Sequence, residues 1–185
     1  MSRPMETHDP TLRELLWKSA LTHTLTYMVV GSIAAAVLDY DTWFSASQLR
    51  CFMRPTSSVA VMAGPLFQPL RGVLFGGVIY LLRDAVLGRR DGWLRLWLLL
   101  VVIGIVDTFG PTPGSIEGLI YTSLPLADQL RGLPEVLLQS LLLSFIVAHW
   151  AGRREPAWAR WALSIVFALA LALPMLGLLL RRLPA

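Results

Sequence analysis

Charge is scarce in this chain: Asp, Glu, Lys and Arg make up 15% of its 185 residues, where a soluble domain carries about 25%. Cysteine is scarcer still. Cys51 stands alone, which excludes an intramolecular disulfide and a metal site built from thiolates. Lysine is confined to Lys18, so nearly all of the 16 basic side chains are Arg. The net charge of +4 comes without a basic run interleaved with exposed aromatics, so no nucleic-acid partner is expected. HExxH, EF-hand, P-loop, dinucleotide and GxSxG patterns are absent, and no metal or cofactor is predicted from motifs.

What is abundant is apolar surface. Hydrophobic residues make up 55% of the sequence and the mean hydropathy is +0.60, more than one small core needs. In lipid a backbone must satisfy its own hydrogen bonds, so long apolar runs here imply helices, and about 20 such residues cross the hydrocarbon. The expected fold is all-α: a polytopic integral membrane protein, one domain over 1–185, with about five spans in one bundle. The spans fall at about 21–38, 58–82, 93–109, 134–150 and 157–180. Residues 1–20 form a cytoplasmic or interfacial lead-in, with Leu12, Leu15 and Leu16 on one side of 11–20 and Arg13, Glu14 and Lys18 on the other. Glu6, Asp9 and Glu14 argue against a cleaved leader, so the first run is expected to be a permanent span.

Basic residues fix the orientation. Arg3, Arg13, Lys18, Arg83, Arg89, Arg90, Arg95, Arg153, Arg154 and Arg160 fall on one side, against Arg50, Arg54, Arg131, Arg181 and Arg182 on the other. Ten against five predicts N-in and C-out. Trp17, Trp93, Trp97, Trp150, Trp158 and Trp161 cluster at the same predicted cytoplasmic ends, as an interfacial belt does. A bacterial inner (cell) membrane is the expected location, and the lipid bilayer the first partner.

The outward connections carry the unusual chemistry. Residues 39–57 mix acids, aromatics and Cys51. Residues 110–134 surround a short apolar piece, Ile116 to Leu124, with Gly and Pro, and form either a re-entrant or interfacial hairpin or a surface loop. Arg71 sits mid-span in GPLFQPLRG. A lone guanidinium there needs a partner, and Asp107 or Glu117 is the expected carboxylate. Pro65 and Pro69 each remove an N–H, freeing the carbonyls of Val61 and Pro65, and Gln68 is available to bond one of them. Arg71, Asp107, Glu117 and Gln68 therefore make up the expected outward-facing polar cluster, acting either as a ligand cradle or as a structural clamp. His23 and His149, read at one depth on different helices, are either interfacial side chains or axial ligands to haem. Gly72 and Gly76 form a GxxxG suited to close helix packing.

Three function classes follow. The preferred one is a non-enzymatic component that binds a small or lipid-like ligand, or assists its transport, in that outward pocket. The second is a subunit or regulator contacting a membrane-protein partner, or a homo-oligomer, through the GxxxG face and the last helix. The third is an intramembrane enzyme using Asp107 or Glu117.

Overall fold

The first helix begins where a capping box begins. Thr11 accepts from the Glu14 N–H, and the Glu14 carboxylate accepts from the Thr11 N–H at 2.8 Å, so two orphan donors are satisfied reciprocally. In the computed structural model, which describes residues 8–46 and 48–181, this starts α1 (Leu12–Val37). The lead-in predicted at 11–20 is thus the first part of the span helix, continuous with it. Its residues 1–7, with Arg3 and Glu6, lie outside the described residues, as does Arg182.

The regular secondary structure of the described residues is all helical, without a strand. After α1 come α2 (Tyr40–Ser45), α3 (Val59–Met62), a 3-10 turn (Gly64–Phe67), α4 (Gln68–Leu81), α5 (Arg83–Val86) and α6 (Gly92–Val101). A π-turn (Val102–Val106) extends α6, and α7 (Ile116–Tyr121), α8 (Leu126–Arg131), α9 (Leu133–Trp150) and α10 (Ala157–Leu180) complete the chain. Three helices are long and apolar enough to cross a membrane: α1, the run Leu126–Trp150 through α8 and α9, and α10; Gly92–Val106 is apolar but shorter. The segment expected at 58–82 is broken. Pro65 sits in the 3-10 turn and Pro69 in the first turn of α4, the one helical position where a missing N–H costs nothing.

Helix α4 lies antiparallel along α1, and two glycines set the distance. A Cβ on Gly72 would stand 2.8 Å from the Ser19 carbonyl oxygen, and one on Gly76 2.7 Å from that of Leu15. Only hydrogen fits there, so the GxxxG face is taken up inside the chain. Helix α9 closes the other side of α1. Leu15, Ile79, Leu96, Leu143 and Val147 form the core where α1, α4, α6 and α9 meet. Helix α10 buries none of its residues; it touches α1 through an edge-on Trp17–Phe167 pair, 5.3 Å between centroids.

Lys18 is 2% exposed, although the sequence places it on a polar face. Its ammonium donates to the carbonyls of Trp150, Ala151 and Arg153 at 3.1, 3.1 and 2.6 Å. Those are all three of its protons. Glu155 Oε1, 2.8 Å away, balances the charge. The end of α9 leaves carbonyls without intrahelical donors, and Lys18 caps them from α1.

The connection 110–134 is a small helical hairpin. Buried Gln129 accepts from the Gly114 N–H at 2.9 Å and donates to the Gly118 carbonyl at 2.9 Å and the Thr122 hydroxyl at 2.7 Å. Ser115 Oγ caps α7 by accepting from the Gly118 N–H at 2.9 Å, which gives that serine a structural role.

Two stability tests follow, read as thermal unfolding in mild detergent. Gly76→Ala is expected to lower the midpoint, by about 1–3 kcal/mol of overpacking, while Gly77→Ala, with nothing within 4 Å of the added carbon, leaves it unchanged. Lys18→Met orphans Glu155 and the Ala151 and Arg153 carbonyls and is expected to cost about 3–5 kcal/mol, the usual consequence of removing one partner from a buried pair.

Candidate functional site

A polar stripe runs down the buried side of α1: Ser19, Thr22, His23 and Thr26. Thr26 returns its hydroxyl proton to the Thr22 carbonyl at 2.8 Å, the usual way a helix satisfies a buried threonine. His23 reaches across to α4. Its Nε2 lies 3.1 Å from Gln68 Oε1, and Gln68 Nε2 donates to the Gly64 carbonyl at 3.0 Å. That second bond fixes the orientation of the amide. Gln68 Oε1 can only accept, so His23 carries its proton on Nε2 and presents Nδ1 as an acceptor; that Nδ1 is buried with no donor among the described residues. The carbonyl Gln68 takes is that of Gly64, not those of Val61 or Pro65; its own backbone N–H serves Pro65.

Arg71 follows one turn later and donates to Gln68 Oε1 at 3.4 Å. The ion pairs among the described residues are His8–Glu14, Lys18–Glu155, Arg83–Asp84 and Arg95–Asp91, and Arg71 is in none of them. The expected Arg71–Asp107 or Arg71–Glu117 pair is not formed. Asp107 is exposed at the end of the π-turn, its N–H bonded to the Val102 carbonyl at 2.7 Å, and Glu117 occupies the first turn of α7. Both belong to segments the sequence separates from Arg71 by a helix end, which spacing alone cannot measure. Arg71 instead borders a cavity of about 160 Å³ with His23, Gln139 and Ser140 as its polar lining and Phe75 and Leu143 among its apolar walls. Gln139 Nε2 is buried with no acceptor among the described residues.

The two histidines part company. Since α1 starts at Leu12, His23 lies near its middle, about 17 Å from that end at 1.5 Å per residue, with its ring edge-on to Phe75 at 4.9 Å. His149 sits at the end of α9, its Nδ1 2.7 Å from the Phe145 carbonyl oxygen. They are not brought to one depth, and the haem arrangement has no geometric basis here.

No role for Glu135, Tyr40 or Tyr27 follows from the sequence alone. Glu135 follows Pro134 in the first turn of α9, where an acid needs no further explanation. In the structure the Tyr40 hydroxyl donates to it. Burial, with the Glu135 carboxyl beside it, holds the Tyr40 phenol well above its usual pKa. The spacing of Tyr40, Trp43 and Phe44 on one face was the available signal.

No protein-family model matches the chain, and no match is found among the curated proteins or the solved structures.

The amide at position 68 is testable. Gln68→Leu leaves the His23 Nε2 proton without a partner, removes a donor from the Gly64 carbonyl and is expected to cost about 1–3 kcal/mol. Gln139→Leu removes an amide nitrogen that has no acceptor and is expected to cost less. Urea or thermal unfolding of the two variants side by side checks the order.

Proposed function

We propose that the chain is a five-span protein of a cell (inner) membrane, N-terminus inside and C-terminus outside, that binds an anionic, lipid-like ligand at Arg71. One observation carries this reading. A guanidinium about 15 Å from the inner end of α4 borders a cavity and has no carboxylate within 4.0 Å among the described residues. Such a charge at membrane depth is costly unless an anion meets it. The cavity supplies what an amphiphile needs, with Arg71, Gln139 and Ser140 for a head group and Phe75, Leu100 and Leu143 for an apolar part. The cavity lies between α4, α9 and the π-turn with Arg71 exposed at its rim, and Asp107 and Glu117 are not among its lining residues. Binding is the activity proposed; transport of the ligand extends the same reading.

The partner-contact reading keeps one supporting observation, that α10 buries none of its residues. Lipid covers such a helix equally well, so that reading stands second.

Native mass spectrometry from mild detergent tests the proposal. A stoichiometric extra mass on the monomer is expected, lost in Arg71→Ala and retained with weaker occupancy in Arg71→Lys. A bare wild-type monomer, or an unchanged adduct on a folded Arg71→Ala variant, overturns it; a multiple of the chain mass moves the weight to the partner reading.

A further inference from the structure

At the end of the bundle away from Lys18 lies a second chamber, of about 470 Å³, which the Arg71 site does not use. Its lining includes Tyr27 from α1, Tyr40, Trp43 and Phe44 from α2, and the carboxyl groups of Asp128 and Glu135. The three α2 rings form one aromatic wall. Tyr40 stacks on Phe44 at 4.8 Å, and Trp43 lies 5.6 Å from each.

The two acids differ. Asp128 Oδ1 accepts from Trp43 Nε1 at 2.8 Å. Glu135 accepts the Tyr40 proton on Oε2, while Oε1 receives no hydrogen bond and no basic nitrogen lies within 4.0 Å, among the described residues. A half-buried carboxylate beside aromatic rings lacks the positive charge its burial calls for. The rings are suited to supplying the rest of a cation's surroundings, because the negative face of a π-system attracts it most strongly where water is excluded. One cation already uses this surface: the Arg131 guanidinium rests 4.9 Å from the Trp43 ring and donates to the Leu38 carbonyl.

We propose that this chamber binds an organic ammonium ion, its charge against Glu135 and its alkyl groups against the α2 rings. A metal cation is a poorer fit. It demands several oxygen ligands at fixed distances, whereas the wall offers ring faces and one uncommitted carboxylate oxygen. The Tyr40 hydroxyl, bonded to Glu135 Oε2, draws on the same carboxylate charge and so competes with the ammonium.

The test uses the full chain in detergent, titrated by calorimetry with benzyltrimethylammonium and, separately, with neopentylbenzene, its neutral carbon isostere. The cation is expected to bind at least tenfold more tightly than the isostere. Glu135→Gln is expected to raise the cation's Kd at least tenfold, whereas Tyr40→Phe, which keeps the ring and removes the competing hydroxyl, binds it as well as the wild type or better. Equal binding of cation and isostere by the wild-type chain overturns the proposal without any mutation. So does unchanged cation affinity in a folded Glu135→Gln variant, or weakened binding in Tyr40→Phe.

Discussion

The architecture depends on one ammonium group. Lys18 has three protons, and all three go to carbonyls at the end of α9 and the turn after it. An ammonium on a side chain only 2% exposed cannot slide along a helix end, because a shift of one turn would strip it of both the carbonyls and Glu155. This fixes the register of α1 against α9 and, through α1, everything that faces it. Val147 and Leu143 then meet Leu15 in the core. Further along, Gly31 comes beside Glu135, whose Oε1 is 3.4 Å from where a Cβ on that glycine would stand.

The second constraint is steric. Gly72 and Gly76 let the α4 backbone approach that of α1 to a distance that excludes a methyl group, so α4 cannot rotate about its axis without a clash. With the glycines turned inward, Gln68 falls on the same face, one turn before Gly72, and meets His23. Arg71 is one residue off that face, at its margin, where it borders a cavity. The broken start of α4 serves the same end. The Gly64 carbonyl in the 3-10 turn accepts from the Gln68 side chain, which holds the amide that orients both His23 and Arg71.

How much of this was legible in the sequence depends on whether a residue's surroundings follow from its own segment. Helix α10 is apolar on every side, and its observed bounds, Ala157–Leu180, coincide with the expected 157–180. The sequence separates 11–20 from the expected span at 21–38, whereas α1 runs unbroken from Leu12; the division arose because Lys18 and Ser19 read as polar. Hydropathy scores a residue against water or lipid, and these face protein. The Pro and Gly signals of 64–76 were visible locally. What they packed against was not, since Ser19, Ala20 and Leu15 lie some fifty residues away. The carboxylate expected for Arg71 was chosen by chemistry alone, and distance in space rejects both choices. Glu135 was hidden by a sufficient local explanation: an acid in a first turn looks like a cap to the helix dipole whether or not a chamber lies beside it.

The two chambers are neighbours. Val136 lines both, and each pair of counterparts, Tyr27 with His23 on α1 and Glu135 with Gln139 on α9, is separated by one helical turn, about 6 Å. Tyr27 lies within electrostatic reach of Glu135 and Arg71 alike. A bundle selected for stability alone would gain by joining the two opposite charges, since a charge drawn partly out of water costs free energy without a partner. Here they belong to separate cavities, each beside groups that complete a different surrounding: amide and hydroxyl near the guanidinium, aromatic rings near the carboxylate.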